Sequence, residues 1–159
     1  MNPGLVMYEE EFRKISGICD RLTRDASAKV VFLVDKNGQL IAAAGQSKDL
    51  DTTSLASLTA GNVAAMGGLA KLIGEKEFPN PFHEGERESL HMSIVGGRVV
   101  LVVIFDAKSS LGLVRLRVKK AGEELARVFD QLARKQATPG AQSPFAEITD
   151  DDIDNLFSQ

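Results

Sequence analysis

The sequence predicts an α/β protein of the α+β type: a five-stranded antiparallel sheet covered by helices, in the order αββαβββα. Three observations carry this. Two glycine-bearing turns, Asn37-Gly38 and Gly96-Gly97, each join a pair of apolar runs, and strands joined by tight turns pair antiparallel. Three longer stretches repeat their apolar residues every three or four positions, the period of a helix. And 159 residues, 43% hydrophobic and 26% charged, suffice for one domain with a substantial core.

Residues 1–6 are expected to be loose. Tyr8–Arg24 is an amphipathic helix with Tyr8, Phe12, Ile15, Ile18, Cys19 and Leu22 on its apolar side, and Glu9, Glu10 and Glu11 in the first turn, where the helix dipole favours acids. Cys19 falls on that side and reads as a core thiol. Val30–Val34 is a continuous apolar run, hence a central strand. Asn37-Gly38 turns the chain, and Leu40–Ala44 returns as the second strand. Asp51 or Thr52 caps a long helix that Gly74 terminates. Pro79 and Pro81 forbid a central ladder position, so any strand there lies at an edge or begins after Pro81. Leu90, Met92 and Ile94 alternate with Ser89, His91 and Ser93, the pattern of a half-buried strand. Val99–Phe105, the most apolar strand, belongs at the sheet centre. Ser109 or Ser110 opens the last helix, which runs to about Lys135 and buries Leu111, Val114, Val118, Leu125, Val128, Phe129 and Leu132. Arg115, Arg117, Lys119 and Lys120 make its middle basic, which suits a solvated face, an acidic partner or the protein's own tail.

The long helix, Leu50–Gly74, is unusual. From Thr52 to Ala70 it has no charged residue. On a helical wheel, Leu55, Leu58, Met66, Leu69, Leu72 and Ile73 share one arc of roughly 120°, which reads as a core stripe. The opposite arc holds Ala56, Ser57, Ala60, Gly61, Ala64, Gly67 and Gly68, with Lys71 at its end. Interior glycine costs about 0.8–1 kcal/mol against alanine, so Gly61, Gly67 and Gly68 together cost about 3 kcal/mol of helix stability. Either the helix is buried on both sides within the domain, or the small-residue face receives another protein.

The formal charge of −3 hides an asymmetry. Glu147, Asp150, Asp151, Asp152 and Asp154 lie within 136–159, which has no Lys or Arg; the other 17 acids face all 19 basic residues, leaving 1–135 at +2. Residues 7–136 form the domain, 137–144 (ATPGAQSP) a linker, and 145–159 an acidic amphipathic helix. In that last segment Thr149 is placed as N-cap, Ile148 and Ile153 as a hydrophobic staple, and Ile153, Leu156 and Phe157 as an apolar edge. A helix so short is marginal alone and gains order on a partner's groove.

Catalytic grammar is missing. The chain has no GxxxxGK[ST] loop, and the glycines of AGNVAAMGG lie inside a helix. His83 and His91 lack the company of a metal site, the tail aspartates lack EF-hand spacing, and no nucleophile–base pair is evident. No aromatic-rich basic patch suggests nucleic acid. With a single cysteine, no signal-peptide pattern and no 18-residue apolar run, the sequence reads as cytoplasmic. No cofactor and no metal are expected, and no active site of the chain's own.

Residues from about Tyr8 to Lys135 resemble a Roadblock/LC7 domain, and within that family the bacterial polarity and gliding-motility regulators. The likeness rests on EEEFRKISGICDRL, KVVFLVDKNGQLIAAAGQ, DTTSLASLTAGNVAAMGGLAKLIGE, FHEGERESLHMSIVGGRVVLVVIFD and SSLGLVRLRVKKA. The tail FAEITDDDIDNLF resembles the C-terminal extension of myxobacterial-type members. The resemblance implies a homodimer joined sheet edge to sheet edge, with its two long helices side by side. It implies that this platform binds one Ras-like (MglA-like) small GTPase per dimer and accelerates GTP hydrolysis by reshaping the switch loops, without an arginine finger. The contact is expected at Ser57, Ala60, Gly61, Ala64, Gly68 and Lys71. The tail, through Phe145, Ile148, Ile153, Leu156 and Phe157, is expected to reach a second place on the GTPase and to influence nucleotide exchange. The protein would be concentrated at a cell pole. A structural adaptor without effect on hydrolysis is the alternative. DDDIDNLF is also similar to the acidic segment by which a flagellar switch protein docks a response regulator, so a response-regulator or polar scaffold partner is a further expectation.

Overall fold

In a computed structural model, the structure describes residues 8–137. The elements are α1 (Glu9–Asp25), β1 (Val30–Asp35), β2 (Leu40–Gly45), α2 (Thr52–Leu72), β3 (Phe82–Glu84), β4 (Ser89–Val95), β5 (Val99–Phe105) and α3 (Leu111–Ala137). This is the expected αββαβββα order. The five strands form one antiparallel sheet in the order β2-β1-β5-β4-β3. The two most apolar strands, β1 and β5, are buried along their whole length because both faces of the sheet are covered. On one face α1 and α3 pack over Val31, Leu33, Leu101 and Val103; on the other α2 packs over Val30, Phe32, Val100 and Val102. The strand after the prolines, β3, begins past Pro81 and lies at the edge, as expected, and before it the Pro79 and Pro81 carbonyls accept from the Ile94 and Met92 amides.

Local chemistry sets the connections. Asp35 organises the first hairpin: its Oδ1 accepts from the Asn37 and Gln39 amides at 2.9 and 3.0 Å. Of Asn37 and Gly38, Gly38 alone adopts positive φ, +90°, so the turn is not the doubly left-handed kind that Asn-Gly favours; a bulge between Leu33 and Val34 takes up the register. Gly45 (φ +85°) closes β2 where a Cβ would stand 2.4 Å from the Lys29 carbonyl oxygen, itself bonded to the Gln46 amide. Gly45→Ala should therefore destabilise the domain by about 2–4 kcal/mol, read as a lower urea midpoint with unchanged slope.

Three sequence expectations are corrected. Phe12 is 42% exposed, and Glu11 takes the inward position on α1, where the Lys135 ammonium pairs with its carboxylate and lies 5.2 Å over the Tyr8 ring. An ion pair reaching across from α3 makes an acid acceptable where the periodicity expected an apolar residue. In β4, Ser89 and Ser93 are half-buried as the alternation expects, but His91 is 1% exposed, because α3 packs on that face. The third correction concerns α2. Leu58, Leu69, Leu72 and Ile73, read as its core stripe, are exposed.

The two unexpected buried groups bear on acid stability. Burial, with the nearby Arg115 charge, holds the His91 imidazole below its ordinary value of 6.5, so the unfolded chain takes the proton first. Its contribution is whole above pH 6.5 and is lost as pH falls from there through the folded value. The hydrogen bond from Lys135 holds Glu11 below its ordinary 4.5, so that contribution is whole above pH 4.5 and lost below it. Urea midpoints measured across about pH 4 to 8 should fall on acidification from 6.5 downward, and His91→Leu should remove the upper part of that fall.

Candidate protein interface

Asp51 starts α2: its Oδ1 accepts from the Ser54 amide at 3.0 Å and its Oδ2 from the Ser54 hydroxyl at 2.6 Å. These hydrogen bonds hold the Asp51 carboxyl below its ordinary range. At the other end Gly74 (φ +83°) lets the Gly74 and Glu75 amides return to the Lys71 and Ala70 carbonyls. Between the caps, α2 meets the sheet through its small residues. Ala56, Thr59 and Ala70 are buried, and Leu55 and Val63 pack beside them on the sheet. The first hairpin also touches the helix: a Cβ on Gly38 would lie 3.4 Å from Ser57 Cα and 3.6 Å from Ala60 Cβ.

The large apolar residues go the other way. Leu58 is 71% exposed and Leu72 84%, with Leu69 and Ile73 exposed along the same side. Of the residues expected to form the contact, Ser57, Gly61, Ala64, Gly68 and Lys71 are exposed and Ala60 is partly buried under the hairpin. The helix is thus not buried on both sides by the described residues. Its free face spans roughly 160° of the wheel, from Lys71 through Ala64, Gly68 and Gly61 to Leu58 and Leu69. Ala60, Ala64, Gly68 and Lys71 also line a groove of about 330 Å³ between α2 and the segment leading into β3, with Lys36, Lys76 and Phe78 on its rim. Periodicity alone misses Leu58, Leu69, Leu72 and Ile73 as surface residues. The signal available is the missing charge on both arcs, which labels neither as solvent-facing.

The three glycines within α2 are not used for close packing among the described residues. A Cβ on Gly61, Gly67 or Gly68 would meet nothing within 4 Å. Their helix-propensity cost is therefore not offset by close packing among the described residues. The face is smooth, without charge from Thr52 to Ala70 and with Lys71 at its end, and apolar at its margin, suited to another backbone and without a carboxylate or imidazole for proton transfer. Cys19 is fully buried in the α1 core and its thiol is pushed up to about 12 by burial, so it is inert. Among the described residues no three His, Cys, Asp or Glu side chains gather as a metal site, and no helix is long and apolar enough to cross a membrane. The tail contacts expected at Phe145, Ile148, Ile153, Leu156 and Phe157 lie outside the described residues.

A five-stranded antiparallel sheet with two helices on one face and one unpartnered helix on the other defines a Roadblock-type interaction domain. Residues 14–105 match the Roadblock/LC7 domain, and the chain belongs to that family. It is similar to Myxococcus xanthus MglB, at 76% identity and TM-score 0.77 over 80% of this chain and 96% of that one. It is similar also to the gliding protein MglB of Thermus thermophilus, at 34% identity and TM-score 0.77 over 82% of this chain and 99% of that one. A further likeness is to an MglB with a tetrameric arrangement, at 33% identity and TM-score 0.78 over 83% and 99%.

Proposed function

We propose that this chain is a homodimeric regulator of a Ras-like, MglA-like small GTPase in a bacterial motility and polarity system, and that it accelerates GTP hydrolysis. The observation that carries the reading is the free face of α2, where Gly61 and Gly68 incur a helix cost that no described neighbour offsets. The close likeness to MglB supports the same partner class. α2 contains no arginine, so the face offers no finger for the nucleotide; it acts by holding the partner's switch loops in a catalytic arrangement. One GTPase seats on the two α2 helices of a dimer, against Ser57, Ala60, Gly61, Ala64, Gly68 and Lys71. The acidic segment 145–159, joined through 137–144, contacts a second place on the GTPase through Phe145, Ile148, Ile153, Leu156 and Phe157 and modulates nucleotide exchange.

The test is GTP hydrolysis by an MglA-like GTPase across a titration of this protein. A rate increase saturating near two chains per GTPase supports the reading. Binding without acceleration favours a structural adaptor, which the lack of proton-transfer groups on α2 would suit equally. Removal of residues 138–159 should leave the hydrolysis increase in place and alter nucleotide release. If truncation abolishes acceleration instead, the α2 face is not sufficient.

A further inference from the structure

On the opposite face of the sheet from α2, a cleft of about 620 Å³ opens between β4 and α3. His91 lies at its floor, 1% exposed, and neither of its ring nitrogens has a hydrogen-bond partner among the described residues. A buried imidazole whose two nitrogens have no partner among the described residues calls for a donor or an acceptor. Arg115 and Lys119, one helical turn apart on α3, line the same cleft, and neither forms an ion pair with a described residue. Glu123 stands a further turn along, so the wall carries net +1. Val95 and Val118 give the cleft an apolar side.

We propose that this cleft binds a small organic oxyanion, a phosphate or carboxylate head on an apolar body, with Arg115 and Lys119 taking the head and His91 donating from one ring nitrogen. The guanidinium and ammonium supply charge-assisted hydrogen bonds, the valines receive the body, and the His91 N–H gains the acceptor it lacks. The site is separate from the α2 face and does not depend on the GTPase reading.

The chain has two histidines, His83 on the edge strand and His91, so histidine side-chain NMR of the full-length protein reads the site directly. Phenyl phosphate, benzoate and inorganic phosphate serve as probes. The first two should shift the His91 ring signals saturably and leave His83 in place, and the stronger of them identifies the head group. Inorganic phosphate, without an apolar body, should bind more weakly. Arg115→Ala and Lys119→Ala, both at exposed positions, should each weaken binding about tenfold or more, and Glu123→Gln should tighten it. Ala64→Arg, on the far face, should leave it unchanged. Absence of a saturable His91 shift with all three probes, equal shifts at both histidines, or full binding by Arg115→Ala would overturn the site and leave the GTPase reading untouched.

Discussion

Ala64→Arg is expected to abolish stimulated GTP hydrolysis while the isolated domain keeps its fold. Ala64 is exposed at the middle of the smooth face, and arginine has almost the helix propensity of alanine, so unfolding free energy should change by no more than about 0.5 kcal/mol. At an interface built for close backbone approach, the long charged side chain has nowhere to go, and a loss of about 2–4 kcal/mol, roughly 30- to 1000-fold in Kd, follows. Gly68→Ala sharpens the test. No described atom lies within 4 Å of the added methyl, so the free protein should gain about 0.8–1 kcal/mol of helix stability. The same methyl faces the partner, so binding should weaken. Opposite signs for stability and binding in one variant cannot arise from damage to the fold. If Ala64→Arg unfolds the domain, or Gly68→Ala binds as tightly as the parent, the face is not the contact.

Much of the fold was legible because two strong periodicities and a few breakers carry it. Val30–Val34 and Val99–Phe105 are uniformly apolar, which requires helices on both faces of the sheet, and Pro79 and Pro81 require an edge. What misled was size. The periodicity of α2 picked out its largest apolar side chains as core, yet the helix lies close enough to the sheet that Ala56 and Ala70 make the contact. Leu55 does pack on the sheet, but Leu58, Leu69 and Leu72 outside with Ala56 and Ala70 inside run against the usual amphipathic rule, and nothing among the described residues benefits from it. His91 and Glu11 were misplaced for a related reason. Their burial depends on α3, a long-range neighbour in sequence, and no local pattern encodes what α3 will cover. The small-residue face, by contrast, stood out in the sequence as a candidate surface because three glycines in a helix demand a reason wherever they point.

The inverted helix leads to the second large effect, expected for Leu69→Lys combined with Leu72→Lys. Both side chains are exposed, at 47% and 84%, and both sit in the last turns of α2, where a cation is favoured by the helix dipole and lysine matches leucine in helix propensity. The folded domain should therefore tolerate the pair. Self-association should not. In a twofold dimer with the α2 helices side by side, each substitution acts twice. Burying a leucine contributes about 1.5–3 kcal/mol, so four of them account for several kcal/mol of association, and four ammonium groups at a shared seam add repulsion. Sedimentation velocity should show the parent as a dimer and the double variant as a folded monomer at the same concentration, with circular dichroism unchanged. The monomer should also fail to accelerate hydrolysis, since half a platform offers the GTPase one helix instead of two. A double variant that stays dimeric would place the self-contact elsewhere, for example at the β3 edge alone, and would leave the exposed leucines to the GTPase itself.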